Sequence, residues 1–370
     1  RHQAVAAALS ALSDAQVTQA LDAATPLGTG IGGATWQLSV AGEPVFAKRV
    51  ALTEIELLTQ NWAGTANLFE LPPWYFHGIG SAGAGAWREL AAHRLTSDLV
   101  LEGAADCFPL LYHWRVLPSS GPGSAEGPAA MKNLDAAGKE RAERVDAQVA
   151  FWHEHPAVRA RLEAIEDAPA GVILFLEHVP QNVDSWLTQQ QQAGPQAVTA
   201  AAVLLQRELT AAGEVLQQND LLHLDTHFGN VLTDGQRVYV SDFGLASSPR
   251  FTVSEEEAHF LQNHRHYDRS YLMTELVNAL LSLRSGTERF VPVHPSEHQA
   301  RIRAIGDGQS LPPALATTIR RYAPIAMALN DYLRQLLDDD RRLPVPAEQL
   351  QRLCFSAGLD GDAAPDTVPA

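Results

Sequence analysis

The sequence predicts an α+β protein in two parts, a β-rich region over residues 1–180 and a helical region over residues 181–370. Three observations predict it. Runs rich in β-branched and aromatic residues concentrate in the first half, at 34–40 (ATWQLSV), 44–50 (PVFAKRV), 107–117 (CFPLLYHWRVL) and 171–179 (GVILFLEHV). Long segments with apolar residues at helical spacing, 196–218, 254–285 and 313–340, fill the second half. Hydrophobic residues make up 46% of the 370, enough to bury a core in one large or two ordinary domains.

The elements follow in order. The opening "RHQAVAAALSALSDAQ" reads as an amphipathic helix and lacks the leucine-rich core of a signal peptide. Residues 34–40 and 44–50, separated by "AGE", read as a hairpin. Residues 86–100 place Leu90, His93, Arg94 and Leu95 at helical spacing with no breaker. After the strand at 107–117, "PSSGPGSAEGPAA" (118–130) reads as a flexible connection into a charged helical segment over 132–166. The continuous apolar run at 171–179 has the length of a buried strand. Residues 1–180 are thus expected to be mostly strand with one or two helices. Beyond them, "RVYVSDF" (237–243) alternates like a strand after the turn "TDGQ", Ser254 caps the helical 254–285, and the last ten residues read as a loose tail.

Charge narrows the partners. The 43 acidic residues outnumber the 27 basic ones, for a formal charge of −16, which argues against nucleic acid or an anionic membrane. The most apolar candidate for a span, 197–216, is broken by Arg207, Glu208 and Glu214, so no membrane partner is expected. Two cysteines, Cys107 and Cys354, form neither a metal knuckle nor a disulfide framework, which points to the reducing cytoplasm. Nothing in the sequence sets the oligomeric state.

Chemistry concentrates in four places. "PLGTGIGGATWQL" (26–38) holds Gly28, Gly30 and Gly33 as G-x-G-x-x-G. A dinucleotide-binding turn would need a helix after it. Here a hairpin follows, which suits a glycine turn laid over nucleotide phosphates. Lys48, 15 residues beyond Gly33, lies inside an apolar strand. Alone it reads equally as an edge-strand charge facing water. Beneath a phosphate-covering turn it can contact the α and β phosphates, and it then needs a carboxylate to hold it. Glu89, mid-helix, is the first candidate, and Glu54 and Glu56 are the alternatives. "HLDTHFGN" (223–230) gives H-x-D-x-x-x-x-N, and Asp242 in "SDFG" follows Asn230 by 12 residues. Each part alone reads as an Asx turn or a cap. Together, Asp225, Asn230 and Asp242 offer hard oxygen ligands that suit Mg²⁺, with Asp225 able to take a proton from a hydroxyl.

This ordered series resembles the protein-kinase-like superfamily over about residues 26 to 245. The resemblance implies a bilobal fold, a β-rich N-lobe over a helical C-lobe, with ATP in the cleft. It implies a Lys48–Glu89 ion pair on the ATP phosphates, Asp225 as catalytic base, and Mg²⁺ on Asn230 and Asp242. It also implies a hinge at "FLEHV" (175–179), where the backbone around Glu177 and Val179 meets adenine, with Leu232 under the ring.

Within the superfamily, "HLDTHFGNVL" looks most like the aminoglycoside phosphotransferases and related small-molecule kinases. His227 stands where protein kinases place a lysine, and no A-P-E follows the D-F-G. The acceptor implied is a small-molecule hydroxyl, antibiotic-like or sugar-like. A protein Ser/Thr kinase and an inactive nucleotide-binding scaffold are the alternatives, the first favoured by the intact D-F-G-L-A. Two departures stand out. Forty-one residues separate Lys48 from Glu89, implying an insertion at 52–85, and residues 118–170 separate two strands usually joined by a tight hairpin. That second insertion reads as a lid or a substrate-facing element. His153 and His155, at i and i+2 of its expected helix, point to different faces and do not read as a metal site. "HFLQNHRHYDRSY" (259–271) reads as either acceptor lining or polar surface.

Overall fold

The computed structural model describes residues 1–30, 33–119, 128–285, 295–306 and 313–359. Residues 31–32 of the glycine turn, most of the 118–130 connection and the expected tail lie outside the described residues. The fold is α+β, with antiparallel sheets and a majority of helix. It divides into two compact units. The first comprises 1–178 with 242–257, and the second 179–241 with 258–370. No helix among the described residues is long and apolar enough to cross a membrane.

The first unit opens with α1 (His2–Ser10) and α2 (Asp14–Asp22), where a single helix was expected. Ser13 divides them. Its hydroxyl accepts the Gln16 N–H and the Gln16 side chain accepts the Ser13 N–H, a reciprocal cap that starts a new helix. Then come β1 (Thr25–Gly30), β2 (Gly33–Val40), β3 (Glu43–Leu52), α3 (Glu54–Leu57), α4 (Ala86–Leu101), β4 (Leu111–Pro118), α5 (Pro128–Phe151), α6 (Pro156–Glu166) and β5 (Ala170–Glu177). The strands form one antiparallel sheet in the order β1-β2-β3-β5-β4.

Strand alternation explains both faces of this sheet. Val45, Ala47, Ile173 and Phe175 meet Val5, Leu9, Val17 and Leu21 of α1 and α2. Val50, Leu52, Val172, Leu174 and Leu176 meet Ala86, Trp87 and Leu90 of α4. β5 is covered on both sides, which is why its sequence is continuously apolar.

Further expectations are corrected. The described residues of 1–178 carry six α-helices, not one or two. The expected helix over 132–166 is two, parted at 152–155, where His153 (φ 57) and Glu154 (φ 54) are left-handed. Neither histidine is therefore on a helix, and both rings pack on Trp74. Finally, β4 begins at Leu111 because Cys107 and Phe108 belong to the preceding loop.

The second unit has a small antiparallel sheet of β6 (Gln181–Asn182), β7 (Val231–Thr233) and β8 (Val238–Val240). Its helices are α7 (Val183–Ala193), α8 (Pro195–Gln218), most of α9 (Glu255–Asn263), α10 (Tyr267–Ser285), α11 (Pro295–Gly306), α12 (Pro313–Asp338) and α13 (Ala347–Ser356). α8 buries Ala201, Ala202, Leu205, Leu209, Ala212 and Leu216, a one-sided stripe at helical period. It packs on α10, which packs on α12. Asn278 and Asn330 exchange amide hydrogen bonds at 3.0 Å between these last two, so a buried polar pair is satisfied. The expected helix over 254–285 is two helices, because a turn at 264–266 separates α9 from α10.

Candidate active site

In the first unit the chemistry gathers around Lys48. β3 points it to the same face as Val50, where α4 lies, and the strand registers set it beside Thr35 and Leu174. Its ammonium is 2.7 Å from Glu89 Oε1 and 2.6 Å from Asp242 Oδ1. The Lys48 and Glu89 side chains are 5% and 3% exposed, whereas Asp242 is 43% exposed. Burial alone would lower the lysine's pKa. The charges of Asp242 and Glu89 outweigh it and raise the pKa above its ordinary value, so Lys48 stays charged. Burial pushes the Glu89 carboxyl up, while the ammonium pulls it back down. One cation thus faces two carboxylates.

Asp242 adopts φ 63, in the left-handed region that costs a non-glycine residue energy. Phe243 seats the segment, its ring centroid 4.9 Å from that of His93 and 6.0 Å from that of Phe108. Gly244 donates its N–H to Asp242 Oδ1 at 3.4 Å. Of the alternative partners for Lys48, Glu54 is exposed and Glu56 is buried with other partners.

The glycines lie on the two strands before β3. A bulge falls between Pro26 and Gly28, and Gly30 pairs with Gly33. Gly33 has φ 111, and a Cβ there would stand 1.8 Å from the Arg49 carbonyl oxygen, so only glycine fits. At the end of β5, Glu177 donates its N–H to the Leu110 carbonyl oxygen, and its carboxylate accepts the Leu110 N–H and pairs with Arg1.

In the second unit the chemistry gathers on the loop after α8. Leu224 is left-handed (φ 66), an outlier for a bulky residue. Asp268, in the first turn of α10, holds this kink by accepting the His223 N–H at 2.7 Å and the Leu224 N–H at 2.8 Å. Burial drives the Asp268 carboxyl up to about 7 against the pull of those two donors, and Asp225 adds to the rise. His223 accepts the Asp225 N–H on Nδ1 at 3.3 Å. That leaves Nε2 to donate to the Ser241 carbonyl oxygen at 2.8 Å, one residue before Asp242 in the chain.

Asn230 donates its amide to the Asp225 backbone oxygen at 3.0 Å and to Asp225 Oδ2 at 3.1 Å, which keeps Oδ1 as its acceptor. His227 takes the Gly229 N–H on Nδ1 and sets Nε2 3.7 Å from Asp225 Oδ1. A Cβ on Gly229 would strike that imidazole at 2.7 Å. Glu275 accepts the Phe228 N–H. Leu232 pairs with Asn182 and Tyr239 in the small sheet, and Val179 makes no backbone hydrogen bond among the described residues.

Lys48, Glu89 and Asp242 therefore meet in the first unit, and Asp225 and Asn230 in the second. Sequence reasoning did not single out Asp268. In the single helix expected over 254–285 it is one acid of a polar stretch, and its partners some 45 residues earlier leave no local signal. No group of three or more His, Cys, Asp or Glu among the described residues is arranged to hold a metal by itself. A carboxamide oxygen and a carboxylate, the donor types of Asn230 and Asp242, are each among the hard oxygen ligands that Mg²⁺ takes. No protein-family model matches the chain, and no curated protein matches it.

Proposed function

We propose that the chain is an ATP- and Mg²⁺-dependent phosphotransferase of the protein-kinase-like superfamily that phosphorylates a hydroxyl of a small molecule. The buried ammonium of Lys48, gripped by Glu89 and Asp242, carries this reading. A core lysine held by two carboxylates has no packing purpose and an evident electrostatic one.

ATP would supply the phosphoryl group, and Mg²⁺ on Asn230 Oδ1 and Asp242 would neutralise its charge. The chain's own groups then have separable tasks. Lys48 binds phosphate oxygens, and Glu89 keeps its ammonium in place. Asp225, aligned by Asn230, accepts the proton of the attacking hydroxyl. His223 and Asp268 fix the loop that carries Asp225. With its N–H spent in the Leu110 contact, Glu177 is left its carbonyl oxygen for a base amine, Val179 offers its N–H, and Leu232 supplies an apolar floor.

The test is a phosphorylation screen of hydroxylated small molecules alongside candidate proteins, with Asp225→Asn as the control. A small molecule gaining one phosphoryl group, with the variant slowed roughly 10²–10⁴-fold, supports the proposal. Transfer to protein alone moves the reading to a protein Ser/Thr kinase, and ATP binding without any transfer moves it to an inactive scaffold.

A further inference from the structure

Two insertions separate the site's elements in sequence, and the fold uses both to hold them. α4 carries Glu89, yet its N-cap is Gly85, which has no side chain to accept the helix's first free N–H groups. Glu56, from the 52–85 insertion, takes over that task. Its Oε1 accepts the Ala86 N–H at 2.8 Å, and its backbone oxygen accepts the Trp87 indole N–H at 2.9 Å. A Cβ on Gly85 would stand 2.4 Å from that carboxylate oxygen, so the glycine makes room for it. The other oxygen, Oε2, accepts the Thr53 N–H and hydroxyl.

The countercharge comes from the other insertion. Arg161 on α6 donates from Nη1 to Glu56 Oε2 at 3.2 Å and from Nε to the Gly83 carbonyl oxygen at 3.4 Å. Both side chains of the pair are 2% exposed. Gly83 is left-handed (φ +68), and a Cβ there would lie 2.1 Å from the Gly244 carbonyl oxygen, two residues past Asp242. The arginine therefore braces the entry to α4 and holds Gly83, whose own backbone packs closely on that of Gly244. These are the elements that bring both carboxylates to Lys48.

We propose that Arg161, acting through Glu56, is a positioning residue for the Lys48–Glu89–Asp242 cluster, so that the 118–170 insertion works as a built-in brace. Its consequence for turnover rests on the phosphotransferase reading; its consequence for Lys48 does not. A buried pair broken on one side leaves a charge the interior cannot tolerate. Without Arg161 the Glu56 carboxylate shifts toward water, the start of α4 moves with it, and Glu89, one turn on, leaves the lysine.

Lys48, Lys132 and Lys139 are the chain's three lysines, so trace acylation read by peptide mass spectrometry resolves Lys48 against the exposed Lys139. Arg161→Met is expected to raise Lys48 labelling relative to Lys139 by roughly fivefold or more, and Arg161→Lys by less than about twofold. Turnover in Arg161→Met is expected to fall by about tenfold to a hundredfold, with partial rescue in Arg161→Lys. Leu9→Ala, in the core on the far face of the sheet, is the control for simple destabilisation and should leave Lys48 labelling unchanged. If Arg161→Met does not fold, Glu56→Gln, which keeps an oxygen for the Ala86 N–H, takes its place with a smaller rise expected. Folded variants with wild-type Lys48 labelling overturn the proposal. A labelling rise in a chain that transfers no phosphate upholds the brace and overturns the phosphotransferase reading instead.

Discussion

Each unit buries a carboxylate that holds a neighbouring group in place, and the two are neutralised differently. Glu89 in the first unit faces an ammonium at 2.7 Å. Asp268 in the second faces two backbone N–H groups and, among the described residues, no cation. Both carboxyls are pushed up by burial, Glu89 against the pull of the Lys48 ammonium and Asp268, to about 7, against that of two backbone N–H groups. Charge against charge gives a grip that fails when one partner is lost. Charge against dipoles gives a grip that fixes a backbone kink and remains titratable.

The largest expected effect breaks the comparison at the groups these carboxylates serve. Asp225→Asn should cost roughly 10²–10⁴ in turnover with ATP affinity nearly intact, whereas Lys48→Met should lose turnover and weaken ATP binding together. Isothermal titration with ATP and Mg²⁺ beside steady-state kinetics separates the two patterns. Next in size, Glu89→Gln and Asp268→Asn sharpen the contrast. The first strips Lys48 of one of its two anions and should raise the KM for ATP. The second leaves one amide oxygen for two N–H donors and should lower kcat about tenfold with little change in that KM.

The pH dependence of stability is a smaller effect, with signs that oppose between units. Asp268, raised from 3.8 to about 7, keeps a proton in the folded chain that the unfolded chain releases, so its contribution is full in acid and is lost as pH rises toward 7. His77 in the first unit is lowered by burial from 6.5 to about 4, against the pull of the Trp74 carbonyl. Its contribution is full above 6.5 and is lost as pH falls toward 4. Denaturant melts across this window should show Asp268→Asn and His77→Asn changing the slope in opposite directions. The smallest effect is expected at Arg159, two residues from Arg161 on α6, whose partners Asp146 and Glu163 are all on the surface. Arg159→Gln should leave the melting midpoint and the Lys48 labelling where they are.

How much of this was legible depended on range. β2, β3 and β5 show in the sequence because alternation and a doubly covered strand leave local patterns, and α4 shows because sixteen residues carry no breaker. The divisions of helices at Ser13 and at His153–Glu154 were passed over although S-x-x-Q at 13–16 is a capping box and Pro156 a breaker, whereas the turn at 264–266 carries no glycine or proline to mark it. The site divides likewise. Asp225, Asn230 and Asp242 form a spaced motif, whereas Asp268, Glu56 and Arg161 act on residues 45, 30 and 105 positions away and have no motif to betray them. Among three candidate carboxylates for Lys48, periodicity put Glu89 on a helix, but only the folded chain shows the other two elsewhere, Glu54 at the surface and Glu56 under Arg161.

The most direct test of the central claim is transfer of the labelled γ-phosphoryl of ATP, with Mg²⁺, to a panel of small alcohols by the wild type and Asp225→Asn side by side. The expected result is a phosphorylated small molecule formed in step with ADP by the wild type and nearly absent from the variant. Equal transfer by both proteins, or an intact wild type that neither binds ATP nor releases ADP with any acceptor, would contradict it.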